Sequence, residues 1–311
     1  MQEFAIANLS LATTKPTRLV AIAEALIVNS IWASSFVLVK IGLNDLRPLT
    51  LSGLRYFGGF LLLLPLMPRS LSTARSWSLG IWLRLILIGV SMYTVGNGIL
   101  FWGLQFMPAT TGSFILNLLP LPVLFVGIVW LKEIPTRAQW LGIIVAIVGI
   151  ACFFSPGLSA GDPVAIIIVM LGLGAFVVFA ILGREVARDQ KVDTLALTAL
   201  PLAFGGGLAL LVALTFEGLP GFSITSIVVV LWLALINTAL AYLMYNHSLQ
   251  VLTAFEMNLL TNLGPLITAP IAWVVLGEKL QPIQIAGIIT LIVGVVLVEW
   301  RRQNGKLISA S

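Results

Sequence analysis

The sequence predicts an all-α polytopic membrane protein: ten transmembrane helices forming two inverted five-helix repeats. Composition is the first reason. The 311 residues are 59% hydrophobic and 9% charged, with a mean hydropathy of +1.08. A soluble domain carries about 25% charged residues, so this chain cannot cover a water-facing surface and its aliphatic side chains are expected to face lipid. Segment length is the second reason, because the apolar runs approach the roughly 20 residues that cross a hydrocarbon layer of about 30 Å. Duplication is the third. Asn117-Leu118-Leu119-Pro120 followed by Leu131-Lys132-Glu133 returns as Asn262-Leu263-Gly264-Pro265 followed by Leu276-Gly277-Glu278, at a constant offset (262 − 117 = 145; 278 − 133 = 145). The same offset pairs Gln139 with Gln284, Gly142 with Gly287 and Gly149 with Gly294.

Splitting the apolar runs at proline, glycine and charge clusters gives the spans in order. The first five cover Leu19–Ile41, Thr50–Met67, Ile81–Phe106, Ala109–Leu131 and Thr136–Phe154. The second five cover Pro163–Arg184, Thr194–Phe216, Ile224–Leu249, Ala254–Leu276 and Pro282–Trp300. The third and fourth spans abut through Met107-Pro108, and the eighth and ninth through Val251-Leu252-Thr253, so fusion of each pair into one span is the competing count. The organisation that follows is a tail over 1–18, a first repeat over 19–154, a turn-rich loop over 155–162, a second repeat over 163–300 and a tail over 301–311.

Basic residues set the expected orientation. With the N-terminus cytoplasmic, Lys15, Arg18, Arg69, Arg75, Arg84, Lys132, Arg137, Arg184, Arg188, Lys191, Arg301, Arg302 and Lys306 fall inside, against Lys40, Arg47 and Lys279 outside. Both termini are therefore expected in the cytoplasm. Five spans per repeat is an odd number, so the second repeat must enter the membrane in the opposite sense, as inverted-topology repeats do. The earlier spans align at an offset of 144, which pairs Lys40 with Arg184 and Thr50 with Thr194. Met1 to Thr17 lack the apolar core and small-residue cleavage site of a signal peptide. The single cysteine, Cys152, leaves no intrachain disulfide and no cysteine-based metal site.

Gly264-Pro265, Leu276-Gly277-Glu278-Lys279-Leu280 and Gln284-Ile285-Ala286-Gly287 resemble the end of the EamA repeat of the drug/metabolite transporter superfamily. Trp32-Ala33-Ser34-Ser35-Phe36, with Lys40 behind it, is similar to the opening of that repeat, where tryptophan-glycine is more usual, and Leu54-Arg55-Tyr56 is similar to its second span. The resemblance runs in two copies from about Leu19 to Trp300. It implies ten helices around a cavity and movement of small metabolites, often amino-acid export, and it implies a bacterial inner membrane. Substrate does not follow from the fold.

The residues themselves nominate candidate sites. Proline lacks an N–H and collides with the carbonyl four residues back, so Pro120 and Pro265 are expected to free the carbonyls of Leu116 and Thr261. They make the fourth and ninth spans hinges or simple kinks, and Asn117 and Asn262 serve either local repair or a substrate ammonium. Tyr93, Asn97 and Phe101 are spaced to share one helix face, and the 145 offset maps them onto Thr238, Tyr242 and Asn246. These mixed aromatic and polar faces are expected to line the cavity, with helix packing as the alternative. Trp32, opposed by Phe176 in the repeat, caps a cavity or packs a helix. Arg55 attracts a substrate carboxylate or braces the fold. Glu24 and His247 carry a charge or proton role, or are interfacial residues with local partners. Glu133 and Glu278 are read as acids preceding helix N-termini, where the dipole favours negative charge, and Glu256 as the end of a Thr-x-x-Glu capping box begun at Thr253.

Function classes narrow accordingly. There is no H-E-x-x-H, G-x-S-x-G, Walker or dinucleotide signature, so no enzyme, no cofactor and no catalytic or metal set is expected. Basic residues in short interspan clusters do not make a nucleic-acid footprint. The expected partners are a small-molecule solute and membrane lipid, with a monomer plausible as the assembly. The combined expectation is a secondary transporter exporting small neutral or zwitterionic metabolites by alternating access. Amino acids with large apolar or aromatic side chains are favoured. A multidrug extruder on the same fold, or a non-transporting membrane sensor or lipid-handling protein, are the alternatives.

Overall fold

The computed structural model of the chain describes residues 16–67, 74, 76–131, 136–188, 191–252 and 254–300. Lys15, Arg69, Arg75, Lys132, Glu133, Thr253, Arg301, Arg302 and Lys306 lie outside the described residues. Helices account for every expected span. They are α1 (Arg18–Gly42), α2 (Pro48–Leu63, extended by one tighter turn to Leu66) and α3 (Leu79–Gly103). Next come α4, broken into Ala109–Leu116 and Pro120–Leu131, and α5 (Arg137–Phe154). The second repeat holds α6 (Pro163–Arg188), α7 (Thr194–Phe216) and α8 (Ile224–Ser248). It ends with α9, broken into Ala254–Thr261 and Gly264–Leu276, and α10 (Pro282–Trp300). The helix ends separate α3 from α4 and α8 from α9, which gives ten helices among the described residues. Eight segments among the described residues are long and apolar enough to cross a membrane, and Gly264–Leu276 and Pro282–Val298 are shorter apolar helices.

Local chemistry sets the boundaries. Thr136 caps α5 by accepting from Gln139 N, while Gln139 Oε1 accepts from Thr136 N, a reciprocal capping box. Asp162 and Asp193 accept from Ala165 N and Ala196 N, each at 2.9 Å, and so start α6 and α7. Gly277 ends α9 in the left-handed conformation at φ 69°, which costs glycine nothing.

The repeats interlock through equivalent helices running antiparallel. Helices α5 and α10 meet at the duplicated glycines. A Cβ added to Gly149 would lie 2.6 Å from Leu291 N, and one added to Gly294 would lie 2.5 Å from Ala146 N. Backbone-to-backbone contact of this kind is how small residues hold membrane helices together. Helices α2 and α7 pair likewise, with Gly53 under Leu210. Against the periphery, Leu171, Leu211 and Val274 are exposed, as a lipid face requires.

One end of the bundle carries the start of α1 and the end of α10. At the far end, acids of the second repeat cap helices of the first. The residues before α2 and α4, Arg47 and Pro108, have no side-chain acceptor and so do not cap these helices. Glu217 instead accepts from Leu49 N at 2.9 Å and Thr50 N at 2.8 Å. Glu278 accepts from Ala109 N at 2.7 Å and Thr110 N at 3.2 Å. The sequence expectation had the dipole right and the helix wrong. Glu278 serves α4 across the repeat interface, while the start of α10 is satisfied by Gln281 N donating to Gln284 Oε1 at 3.0 Å.

Candidate functional site

Between the repeats lies a cavity of about 530 Å³, within the roughly 300–1,000 Å³ of small-molecule sites. It extends from Val39 and Leu104 towards the terminus-bearing end, where Gln139 of the first turn of α5 and Val298 near the end of α10 stand in its wall. Glu278 sits at the far end of the bundle. Besides its bonds to α4, it receives Lys40 Nζ at 3.2 Å, and Lys40 Nζ also donates to Met107 O at 2.8 Å. One carboxylate thus ties α1, the α3–α4 joint, α4 and the α9–α10 joint together.

The broken helices meet α1 beside the cavity. Both breaks fall at the duplicated Asn-x-x-Pro, as the missing proline N–H predicts. Their repair differs from expectation. Leu116 O accepts from Leu119 N at 3.1 Å in a tightened turn, while Asn117 Nδ2 donates to Ser113 O at 3.0 Å. In α9 the outside help comes from α1, where Asn29 Nδ2 donates to Leu260 O at 2.8 Å. Thr268 Oγ1 bonds Ala33 O and Ser113 Oγ, completing a polar crossing of α1, α4 and α9. Asn117, Pro120 and Asn262 line the cavity, whereas Gly264 rather than Pro265 does so in α9. Asn262 Nδ2 is buried with no hydrogen-bond partner among the described residues.

Helices α3 and α8 each contain a π-helical segment, Val90–Gly96 and Leu235–Leu240, at equivalent places (235 − 90 = 145). In a π turn the hydrogen bond runs i→i+5, so residues four apart no longer stack. This is why the expected faces come apart. Asn97 and Phe101 reach the cavity, but Tyr93 is turned inward, with its hydroxyl 3.1 Å from that of Tyr242 and its ring 4.4 Å from that of Tyr56. In α8 Tyr242 lines the cavity, while Thr238 is fully buried and holds Leu233 O and Arg55. Asn246 lies outside the lining and donates to Thr198 Oγ1 at 3.0 Å. Tyr93, Thr238, Asn246 and Pro265 therefore stand behind or beside the cavity wall. The π segments themselves escaped sequence reasoning.

Trp32 and its repeat counterpart Phe176 both line the cavity. Trp32 packs edge-on against Tyr242 at 5.6 Å and against Tyr245 at 5.3 Å. Tyr245 was missed, although its i+3 spacing from Tyr242 puts it on the same face. Arg55 is 6% exposed and belongs to the wall, with its guanidinium 4.9 Å from the Tyr56 ring centroid. Nε donates to Thr238 Oγ1 at 3.2 Å, Nη1 to Ser35 Oγ and Nη2 to Asn237 O at 3.5 Å. Those partners come from α1 and α8.

Glu24 and His247 find each other away from the cavity. His247 Nδ1 lies 2.9 Å from Glu24 Oε1, and Ser248 Oγ donates to Glu24 Oε2 at 3.1 Å. Glu256 pairs with Arg18, so at the terminus-bearing end α1 is tied to both α8 and α9. Its proposed capping partner Thr253 is outside the described residues. Among the described residues no three His, Cys, Asp or Glu side chains form a metal-binding group.

The bundle matches proteins of known class over most of its length. A solved protein crystal structure, 17% identical, superposes with a TM-score of 0.65 over 91% of this chain and 96% of that one, a likeness of fold. The uncharacterized transporter YyaM of Bacillus subtilis is 26% identical over 224 residues, 68% of this chain and 70% of its own length. A probable amino-acid metabolite efflux pump of Salmonella typhimurium is 28% identical over 290 residues, 87% of this chain and 91% of that protein. The EamA-like transporter family matches twice, over residues 19–155 and 163–300. With ten helices in two inverted repeats around a cavity, the chain belongs to the EamA-like transporter family, within the drug/metabolite transporter superfamily.

Proposed function

We propose that this membrane transporter exports small zwitterionic metabolites, chiefly amino acids with large apolar or aromatic side chains, by alternating access. In this reading it sits in a bacterial inner membrane with both termini in the cytoplasm, and the cavity takes up solute from the cytoplasmic side. The observation that carries the reading is the cavity wall between the repeats. The Trp32, Tyr242 and Tyr245 rings share it with the amides of Asn97, Asn117 and Asn262. Aromatic faces attract an ammonium by about 0.5–2 kcal/mol and cover a flat apolar side chain, while amides orient polar groups. The similarity to the probable amino-acid metabolite efflux pump of Salmonella typhimurium supports the same reading.

Release on the far side then requires Glu278 to leave α4 and Lys40. The matched breaks at Pro120 and Pro265 are the hinges in this scheme, because half-helices that lack the linking hydrogen bonds rotate at low cost. The Glu24–His247 pair is already formed in this arrangement, at 2.9 Å. With both members outside the cavity lining, the scheme is facilitated exit without obligate proton exchange.

Liposomes containing the purified protein and loaded with single labelled amino acids test this. Large apolar and aromatic amino acids should leave fastest, at a rate indifferent to an imposed pH gradient. If none of the twenty leaves faster than from protein-free liposomes, the amino-acid assignment is wrong. A rate that follows the gradient would replace facilitated exit with proton coupling.

A further inference from the structure

We infer that Arg55 is the receptor for a substrate carboxylate, and that the transporter selects solutes by that carboxylate rather than by an ammonium. The inference rests on the cavity being the transport site. Arg55 is the one charged side chain among the described residues lining it. Its three protein partners are all neutral oxygens, and no carboxylate among the described residues bonds it. A guanidinium has five N–H donors in a planar fork that matches a carboxylate, so these bonds leave donors over. They also fix its position from two sides: Ser35 on α1, Thr238 and Asn237 on α8. A buried charge held in place without a counter-charge is costly, and an ionisable group at such depth marks a substrate pathway. A carboxylate brought by the solute removes that cost. Asn262 Nδ2, buried in the cavity wall without a partner among the described residues, is a second donor for an oxygen of the solute.

The other end of the solute is read differently. Trp32 lies three residues before Ser35 on α1, about 4.5 Å along the helix axis, so a group one bond or two from an Arg55-bound carboxylate meets the Trp32–Tyr242–Tyr245 rings. No acid in the described wall demands a positive charge there. Rings accept an ammonium or an apolar group alike. The substrate class is therefore the apolar monocarboxylate, with or without an amino group, and amines lacking the carboxylate are excluded.

Competition against labelled L-phenylalanine counterflow in proteoliposomes reads this directly. In the wild type, 3-phenylpropanoate should compete within about tenfold of unlabelled phenylalanine, while phenethylamine at a hundredfold excess should not. In R55Q the acid's advantage over the amine should shrink at least tenfold, and R55K should recover part of it. A merely bracing arginine would lower the melting temperature of R55Q without changing that ratio. The wild-type comparison needs no variant, so misfolding of R55Q does not protect the inference. It is overturned if phenethylamine competes as well as 3-phenylpropanoate, or if R55Q folds and keeps the wild-type ratio. Thermal stabilisation of the purified wild type separates the two levels. Stabilisation by 3-phenylpropanoate and not by phenethylamine, without counterflow, keeps the Arg55 assignment and removes the transport reading. Equal stabilisation by both removes the Arg55 assignment alone.

Discussion

Replacing Glu278 with glutamine should unlatch the far end of the bundle. The carboxylate accepts from Ala109 N at 2.7 Å, Thr110 N at 3.2 Å and Thr110 Oγ1 at 3.1 Å, and it pairs with Lys40 Nζ at 3.2 Å. Glutamine keeps one acceptor oxygen and turns an N–H₂ group towards donors that already point at it. Losing one set of charge-assisted bonds costs about 1.5–3 kcal/mol, and losing the charge at the helix terminus costs roughly 0.5 kcal/mol more. The Lys40 pair adds little, because Lys40 is 29% exposed. A total of about 2–3.5 kcal/mol shifts a closed-to-open ratio roughly 30- to 300-fold, provided the contact exists only while the far end is closed. The assay places a cysteine at Val39, a buried residue of the cavity wall, in a chain whose Cys152 is replaced by serine. A membrane-impermeant maleimide applied to whole cells should leave the V39C protein nearly unlabelled and should label V39C/E278Q at least tenfold faster. Equal rates would mean that Glu278 does not hold this end shut.

Two further outcomes follow from the packing. Y242A should raise the KM for aromatic amino acids about tenfold, since an aromatic pair contributes about 0.5–1.5 kcal/mol beyond its area and Tyr242 meets both Trp32 and Tyr93. Y93F, altered behind the wall, should keep the wild-type ranking of amino acids in competition; unchanged ranking in Y242A would take Tyr242 out of the site. G149A and G294A should each lower the melting temperature of the detergent-solubilised protein, because the added Cβ meets backbone nitrogen at 2.6 Å and 2.5 Å and overpacking costs about 1–3 kcal/mol. Wild-type melting in both would show that α5 and α10 do not need this close approach.

What the sequence could show was local. Span lengths and the proline breaks in α4 and α9 depend on residues within a turn or two, and the 145 offset exposed the repeat. The misplaced details depend on distance along the chain or on backbone irregularity. Asn237 and Thr238 meet Arg55 across more than half the chain, and Glu278 caps a helix that begins 169 residues earlier. The π segments in α3 and α8 have no side-chain signature, yet they decide that Asn97 and Phe101 face the cavity while Tyr93 does not. A periodicity of 3.6 residues fails across the six or seven π residues of each helix, and Asn246 leaves the lining even within regular helix, where Thr198 takes its amide.

The cavity between the repeats is proposed to hold the solute, and a single cysteine at Phe179, a cavity-lining position of α6, probes that in the Cys152-free protein. An impermeant maleimide should label F179C from the terminus-bearing side of the membrane, and a saturating amino acid which the protein transports should slow labelling at least fivefold. Labelling at the same rate with and without that amino acid would mean that the solute binds elsewhere.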